Sequence, residues 1–259
     1  MTADLTGKTA LVTGASRGIG LAIVRALAAA GATVVAGARS TPPELASIDR
    51  VHPVIADLST PDGPAALVGE GVARLGGRLD ILVNNVGGVR PRTGGFLSVT
   101  DDDWLQTLTI NFFSAVRVTR AALPHLLDRG GSIVTVGSVN ASLPDPLVID
   151  YSAAKAALSN FSKALSKEVG PRGVRVNTIS PGPVETDLWF GAGGVADTVG
   201  SAAGLDPGDV AKGAVSGTAT GRFTRPDEVA ALVLLLAGDQ APNLTGADLI
   251  IDGGLTTSM

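Results

Sequence analysis

Thr9 to Gly20 reads TALVTGASRGIG: a short apolar run, a turn holding three glycines, and the opening of a helix. The helical stretch spans Arg17 to Ala30 and is ended by Gly31. A second apolar run, Ala32 to Gly37, follows. Strand, glycine turn, helix and strand make a βαβ unit, which requires parallel strands joined by a right-handed crossover. Few other folds can accommodate such a start.

The alternation continues down the chain. Val51 to Ala56 is a weak strand, Pro61 to Leu75 a helix, and Leu79 to Val83 a strongly apolar buried strand. Asp101 to Leu127 has helical character, with Thr100 or Asp101 as its N-cap and Pro124 as a kink or break. Ser132 to Val136, Val174 to Ile179 and Asp248 to Ile251 are strands. Tyr151 to Val169 and Pro226 to Ala237 are helices. About seven strands alternating with helices predict an α/β fold: one doubly wound parallel sheet with helices on both faces. No linker or internal repeat divides residues 1–259, so a single domain is expected. Two stretches interrupt the rhythm. Residues 40–50 contain Pro42-Pro43 and leave room only for a short helix. Residues 187–220 are long and rich in small residues, with the character of either a lid over a site or a disordered surface insertion.

Composition removes several function classes. The net charge is −4 with no basic block, which argues against a nucleic-acid partner. There is no cysteine, hence no disulfide or thiolate metal site. That is compatible with the cytoplasm, the expected location. Met1 to Lys8 lacks the apolar core of a signal peptide. The longest apolar run, Val229 to Ala237, is about half of the ~20 residues that a membrane span needs. His52 and His125 have no clustered partners, so no metal site is expected.

The chemistry centres on Tyr151-Ser152-Ala153-Ala154-Lys155. On a helix, positions i and i+4 share a face, so the phenol and the ammonium can enter one pocket. A nearby cation favours the phenolate and lowers a phenol's pKa, which suits a general acid or base. The competing reading is an interfacial tyrosine beside a snorkelling lysine. In the first turn, Gly14, Gly18 and Gly20 let backbone N–H groups approach a pyrophosphate, and the helix N-terminus favours its charge.

Thr13-Gly14-x-x-x-Gly18-x-Gly20, Asn84-Asn85-x-Gly87, Asn111, Ser138, Tyr151-x-x-x-Lys155 and Pro181-Gly182 stand in the order and spacing of the short-chain dehydrogenase/reductase family. The sequence resembles that family from Gly7-Lys8 to Asp252-Gly253-Gly254, with Val86 where alanine is usual. The resemblance implies a Rossmann-type domain, a nicotinamide cofactor and hydride transfer to or from a carbonyl carbon. It implies that Tyr151 exchanges the proton with the substrate oxygen, while Lys155 lowers its pKa and binds the nicotinamide ribose. Ser138 would hold the substrate oxygen. Asn111 would hold a relay water, although a helix-interior asparagine satisfied by backbone is the alternative. Cofactor contacts would come from Gly14, Ser16, Arg17, Gly18, Ile19 and Gly20, from Asp57 and Leu58 at the adenine, and from Asn84, Val86 and Gly87. Pro181, Gly182, Val184 and Thr186 would face the nicotinamide.

Cofactor choice turns on the end of the second strand, Gly37-Ala38-Arg39-Ser40. Ala38 stands where an acid would bond a ribose 2′-hydroxyl, and Arg39 or Arg17 could pair with a 2′-phosphate. NADP(H) is therefore expected over NAD(H), with surface arginines as the alternative. Arg90, Arg92, Asn140, Trp189 and Phe190 are candidates at the substrate, a small carbonyl or alcohol molecule. The pattern looks most like the subgroup that includes 3-oxoacyl-carrier-protein reductases. That subgroup implies a homo-oligomer, a tetramer or dimer, with the small residues Ala153, Ala154, Ala156 and Ala157 permitting close helix approach. An NAD-dependent secondary-alcohol dehydrogenase is the same-class alternative, and a catalytically silent nucleotide sensor the alternative from another class.

Overall fold

The computed structural model describes residues 3–257. Met1 and Thr2 of the Met1–Lys8 stretch, and Ser258 and Met259, lie outside the described residues. The chain runs β1 (Thr9–Thr13), α1 (Gly18–Ala29), β2 (Thr33–Ala38), α2 (Pro43–Ala46), β3 (Val51–Ile55), α3 (Gly63–Arg74) and β4 (Ile81–Asn84). It continues through α4 (Asp101–Leu108), α5 (Ser114–Leu127), β5 (Gly131–Val136), α6 (Ile149–Val169) and β6 (Val174–Pro181). Then come α7 (Asp187–Phe190), α8 (Val195–Ala203), α9 (Pro207–Ser216), α10 (Pro226–Ala237) and β7 (Asp248–Ile251).

The seven strands form one sheet in the order β3-β2-β1-β4-β5-β6-β7, and every pairing is parallel. Period-two alternation sends Ala10 and Val12 of β1 to one face, where they meet Leu21, Val24 and Leu27 of α1 and Val233 of α10. Leu11 goes to the other face, among Leu67 of α3, Val118 of α5 and Leu165 of α6. Both faces are thus covered, as a parallel sheet demands. Pro53 is tolerated in β3 because that strand sits at the sheet edge and pairs only with β2.

Two expectations need correction. The break in the 101–127 helix is not at Pro124, which lies inside α5 near its end. It is a π turn over Thr109–Phe113, between α4 and α5. Asn111 supplies a cause: its Nδ2 donates to the Thr107 carbonyl, four residues back, and so competes for the acceptor that an α-helix would give to a backbone N–H. The second correction is residues 187–220, which are not a disordered insertion but fold into α7, α8 and α9.

Candidate active site

The strand order reverses direction between β1 and β4, and the crevice beside that point is where a doubly wound sheet binds ligands. The glycine turn forms its floor. Gly14 has φ +66°, a conformation that side chains disfavour, and a Cβ on Gly20 would collide with the Gly14 carbonyl and lie 2.6 Å from Asn85 Nδ2. Asn85 braces the turn from β4 by donating to the carbonyls of Thr13 (2.9 Å) and Gly14 (3.2 Å). Thr13 Oγ1 in turn accepts from the backbone N–H groups of Asn85 and Val86. The first turn of α1 carries no acidic residue and no side-chain cap, so its N–H groups remain available to an anion. This cradle suits a dinucleotide pyrophosphate.

Above the floor, Ser138, Tyr151 and Lys155 line one cleft of about 610 Å³, together with Ile19, Gly87, Pro181, Gly182, Val184 and Thr186. Ser138 lies two residues past the end of β5 and caps a single turn. Its hydroxyl accepts from Asn140 N and donates to Asn140 Oδ1, both at 3.2 Å. Tyr151 and Lys155 sit in the opening turns of α6. Lys155 is only 3% exposed; its Nζ donates to the Val136 carbonyl at 2.9 Å and lies 5.7 Å from the Tyr151 ring centre. Burial lowers the Lys155 pKa to about 8. The expected lowering of the Tyr151 pKa by Lys155 does not occur in this geometry. Burial raises the phenol, and the Ser138 hydroxyl draws it only partly back.

Asn111 is buried, and its amide is spent on backbone: Nδ2 donates to Gly88 O and Thr107 O, while Oδ1 accepts from Gly88 N. The side chain thereby hangs residues 87–88 from the π turn. A Cβ on Gly87 would lie 3.0 Å from Asn111 Oδ1 and 3.4 Å from Lys155 Nζ, so glycine keeps the space between them open.

The other cofactor candidates divide. Leu58 is a core side chain, and Asn84 is buried against Thr119 with its Oδ1 unpartnered. Asp57 does not cap α3; its carboxylate accepts from Ser59 N and Oγ, and those bonds hold its pKa low, with Arg39 adding a smaller effect. Arg39 is exposed at the end of β2, and no carboxylate occupies the adjoining buried Ala38. Arg17 lies 3.8 Å from Asp187, both largely exposed. Ser16 lies in the glycine turn.

The substrate candidates are redistributed more strongly. Trp189 lines the cleft and packs edge-on against Phe223, with ring centres 5.3 Å apart. Phe190 does not line it; the ring turns toward Phe223 and a second, shallower cavity. Arg90 is exposed and outside the lining, though its neighbours Val89 and Pro91 belong to it. Arg92 is not available to a substrate anion. Its guanidinium donates to Asp150 Oδ2, to Asp103 Oδ1 at 2.8 Å and to Thr107 Oγ1. Asp150 is 1% exposed, and its second oxygen accepts from Tyr151 N at 3.0 Å. Burial alone would raise the Asp150 pKa, but the Arg92 and Thr107 hydrogen bonds hold it below the usual range. This network ties the 88–92 loop and α4 to the turn that carries Tyr151. Sequence reading missed Asp150 as a support and did not single out Leu143, Leu147, Val199 and Val210 as wall residues.

Taken together, the fold and the cleft define an oxidoreductase of the nicotinamide-binding, doubly wound class. A family model described as "Enoyl-(Acyl carrier protein) reductase" matches residues 14–256. The acetoacetyl-CoA reductase of Allochromatium vinosum is 36% identical, covering 96% of this chain and 98% of its own. The 3-oxoacyl-(acyl-carrier-protein) reductase of Thermotoga maritima is 34% identical, covering 97% and 98%. Among solved structures, L-sorbose reductase from Gluconobacter frateurii, complexed with NADPH and L-sorbose, superposes with a TM-score of 0.90 at 32% identity over the full length of both chains. The chain belongs to the short-chain dehydrogenase/reductase family, in its 3-oxoacyl-carrier-protein reductase-like part. Among the described residues, no helix is long and apolar enough to cross a membrane.

Proposed function

We propose that this enzyme reduces a ketone to a secondary alcohol with NADPH. The observation that carries the reading is the convergence of Ser138, Tyr151 and Lys155 on one cleft that Ile19 of the glycine turn also lines. Relatives named for reducing acetoacetyl-CoA and L-sorbose support the direction. Bound NADPH would supply the hydride that reaches the carbonyl carbon.

The chain's own residues manage the oxygen. Tyr151 gives its phenolic proton to the carbonyl oxygen as the C–O double bond becomes a C–OH single bond. A raised phenol pKa keeps that proton in place beforehand. The Lys155 ammonium stabilises the phenolate left behind, and Ser138 donates a hydrogen bond to the oxygen as charge develops. The Val136 carbonyl holds Lys155 in position. Asn111 acts by fixing the Gly87–Gly88 wall, and any relay water would sit beside it.

Gly14, Ser16, Arg17, Gly18, Ile19 and Gly20 would hold the pyrophosphate, with Asp57 and the Leu58 backbone at the adenine. Asn84, Val86 and Gly87 would brace the central strands beneath it, and Pro181, Gly182, Val184 and Thr186 would meet the nicotinamide. Arg39 would pair with the 2′-phosphate, since Ala38 leaves no carboxylate to repel it. Residues 187–220, including Trp189, would close over the substrate as a lid within one domain spanning 1–259. A homo-oligomer fits the exposed apolar side chains Phe96, Leu97, Leu105 and Phe113 beside α4 and α5. Ala154 would not join such a contact, because it is buried in its own subunit. A cytoplasmic location belongs to the same reading, since no cysteine calls for an oxidising compartment.

Binding of NADPH and NADH, measured by fluorescence titration for the native chain and Arg39→Asp, tests the cofactor assignment. The native chain should bind NADPH more tightly, and the variant should lose that preference by about tenfold or more, on the order of one charge-assisted hydrogen bond. An unchanged preference would end the phosphate-pairing account.

A further inference from the structure

The substrate half of the cleft offers hydrocarbon and almost nothing else. Leu143 and Leu147 come from the turn before α6, Leu188 and Trp189 from α7, Val199 from α8 and Val210 from α9. Leu143, Leu147 and Leu188 are 45%, 41% and 40% exposed, which is costly for large apolar side chains unless something apolar covers them.

Most polar groups of this half are already committed. Asn140 Oδ1 accepts from Ser138 Oγ, and its Nδ2 donates to Leu143 O. Asp145, the carboxylate at the wall, accepts from Leu147 N at 2.9 Å. Lys155 is the lining cation, and its Nζ is bonded to Val136 O behind the tyrosine. Arg92, the guanidinium that could have met an anion, is locked to Asp150 and Asp103. Apart from Ser138 and Tyr151, which the carbonyl oxygen would occupy, the Trp189 indole N–H and the second Asp145 oxygen are the main uncommitted side-chain groups among the described lining residues.

We infer that the substrate is an uncharged ketone carrying hydrocarbon on both sides of the carbonyl. Polyhydroxylated ketones and carboxylate- or phosphate-bearing ones are disfavoured. The inference rests on the ketone-reductase reading and narrows it. A hydroxyl placed against the leucine and valine walls loses its water and gains no partner there, and a carboxylate would also face Asp145.

The test uses three ketones of one ring size: 4-methylcyclohexanone, 4-hydroxycyclohexanone and 4-oxocyclohexanecarboxylate. Each is added to the full chain mixed with NADPH, and both turnover and calorimetric binding are measured. The methyl ketone should exceed the hydroxy ketone in kcat/KM by about 100-fold, with the carboxylate lower still, and the affinities should follow that order. Equal or better kcat/KM for either polar ketone would overturn the inference. If none of the three is turned over, the reductase reading fails and the binding order alone decides. Tightest binding of the methyl ketone then supports the apolar class. Equal or tighter binding of a polar ketone, or no binding by any of the three, overturns it.

Discussion

The turn after β1 and the helical segment from α7 to α9 are both rich in glycine, and they share its use only in part. In the turn, glycine is demanded by contact: a Cβ on Gly20 would run into the Gly14 carbonyl and the Asn85 amide. In the later segment, a Cβ on Gly191, Gly194 or Gly200 would be crowded by the segment's own carbonyls at 2.6–3.0 Å, whereas Gly204 ends α8 in a left-handed conformation with open space around it and Gly213 sits in α9 with nothing within 4 Å of an added Cβ. The first region is a rigid cradle whose shape its backbone sets. The second is a set of short helices whose contribution to the cleft lies in the side chains they present. On the proposed reading, cofactor recognition is built from spacing, and substrate recognition from side-chain chemistry.

That contrast can be broken by substitution. The largest effect is expected in the rigid part, at Asp150→Ala. It would leave the Arg92 guanidinium without its buried partner and release the first turn of α6, at a cost of about 3 kcal/mol in unfolding free energy. Asp103 and Thr107 retain some of the Arg92 bonds. The Asp150 carboxyl is held below its ordinary pKa in the folded state. Its stabilising effect is thus fully present above the unfolded value of about 3.9 and is lost as pH falls through the lower folded value. Urea unfolding between neutral pH and pH ~2 should show a shallower acid-side loss in the variant than in the native chain. An identical acid slope would mean that the network contributes nothing.

Gly20→Ala ranks next, with an expected loss of about 1–3 kcal/mol and weakened NADPH binding, because backbone must move to admit the methyl group. Gly213→Ala should do the reverse, stabilising by about 0.5–1 kcal/mol through helix propensity with NADPH affinity unchanged. If the two alanines had the same sign of effect on thermal unfolding, the distinction between the two glycine-rich regions would not stand.

The same contrast explains what was legible in the sequence. The order of strands and helices and the glycine turn could be read because steric need fixes residue type at fixed spacing. Tyr151 and Lys155 could be paired because helix periodicity puts them on one face. The Arg92–Asp150 bridge could not, since its partners are 58 residues apart and only the folded topology brings them together. The π turn was hidden inside the apolar stretch Thr109–Phe113; its one signal was an asparagine whose amide reaches back to the Thr107 carbonyl. The helices of 187–216 did leave signals. Asp206 caps α9 by accepting from Gly208 N at 2.8 Å, Pro207 occupies its first turn, and Gly204 terminates α8. The glycine count of the segment obscured them. The fate of Phe190 was beyond sequence, because adjacent residues on one short helix both pack on Phe223 while only Trp189 also lines the cleft.

The central claim is that Tyr151 is the proton donor of a cofactor-binding cleft rather than a packing residue. The most direct test measures NADPH affinity and ketone turnover in the native chain and in Tyr151→Phe. The account predicts NADPH affinity within about twofold of native and kcat lowered by about 10²–10⁴-fold, the range for loss of a positioned general acid. Retained turnover in Tyr151→Phe, with the variant folded and loaded with NADPH, would contradict it.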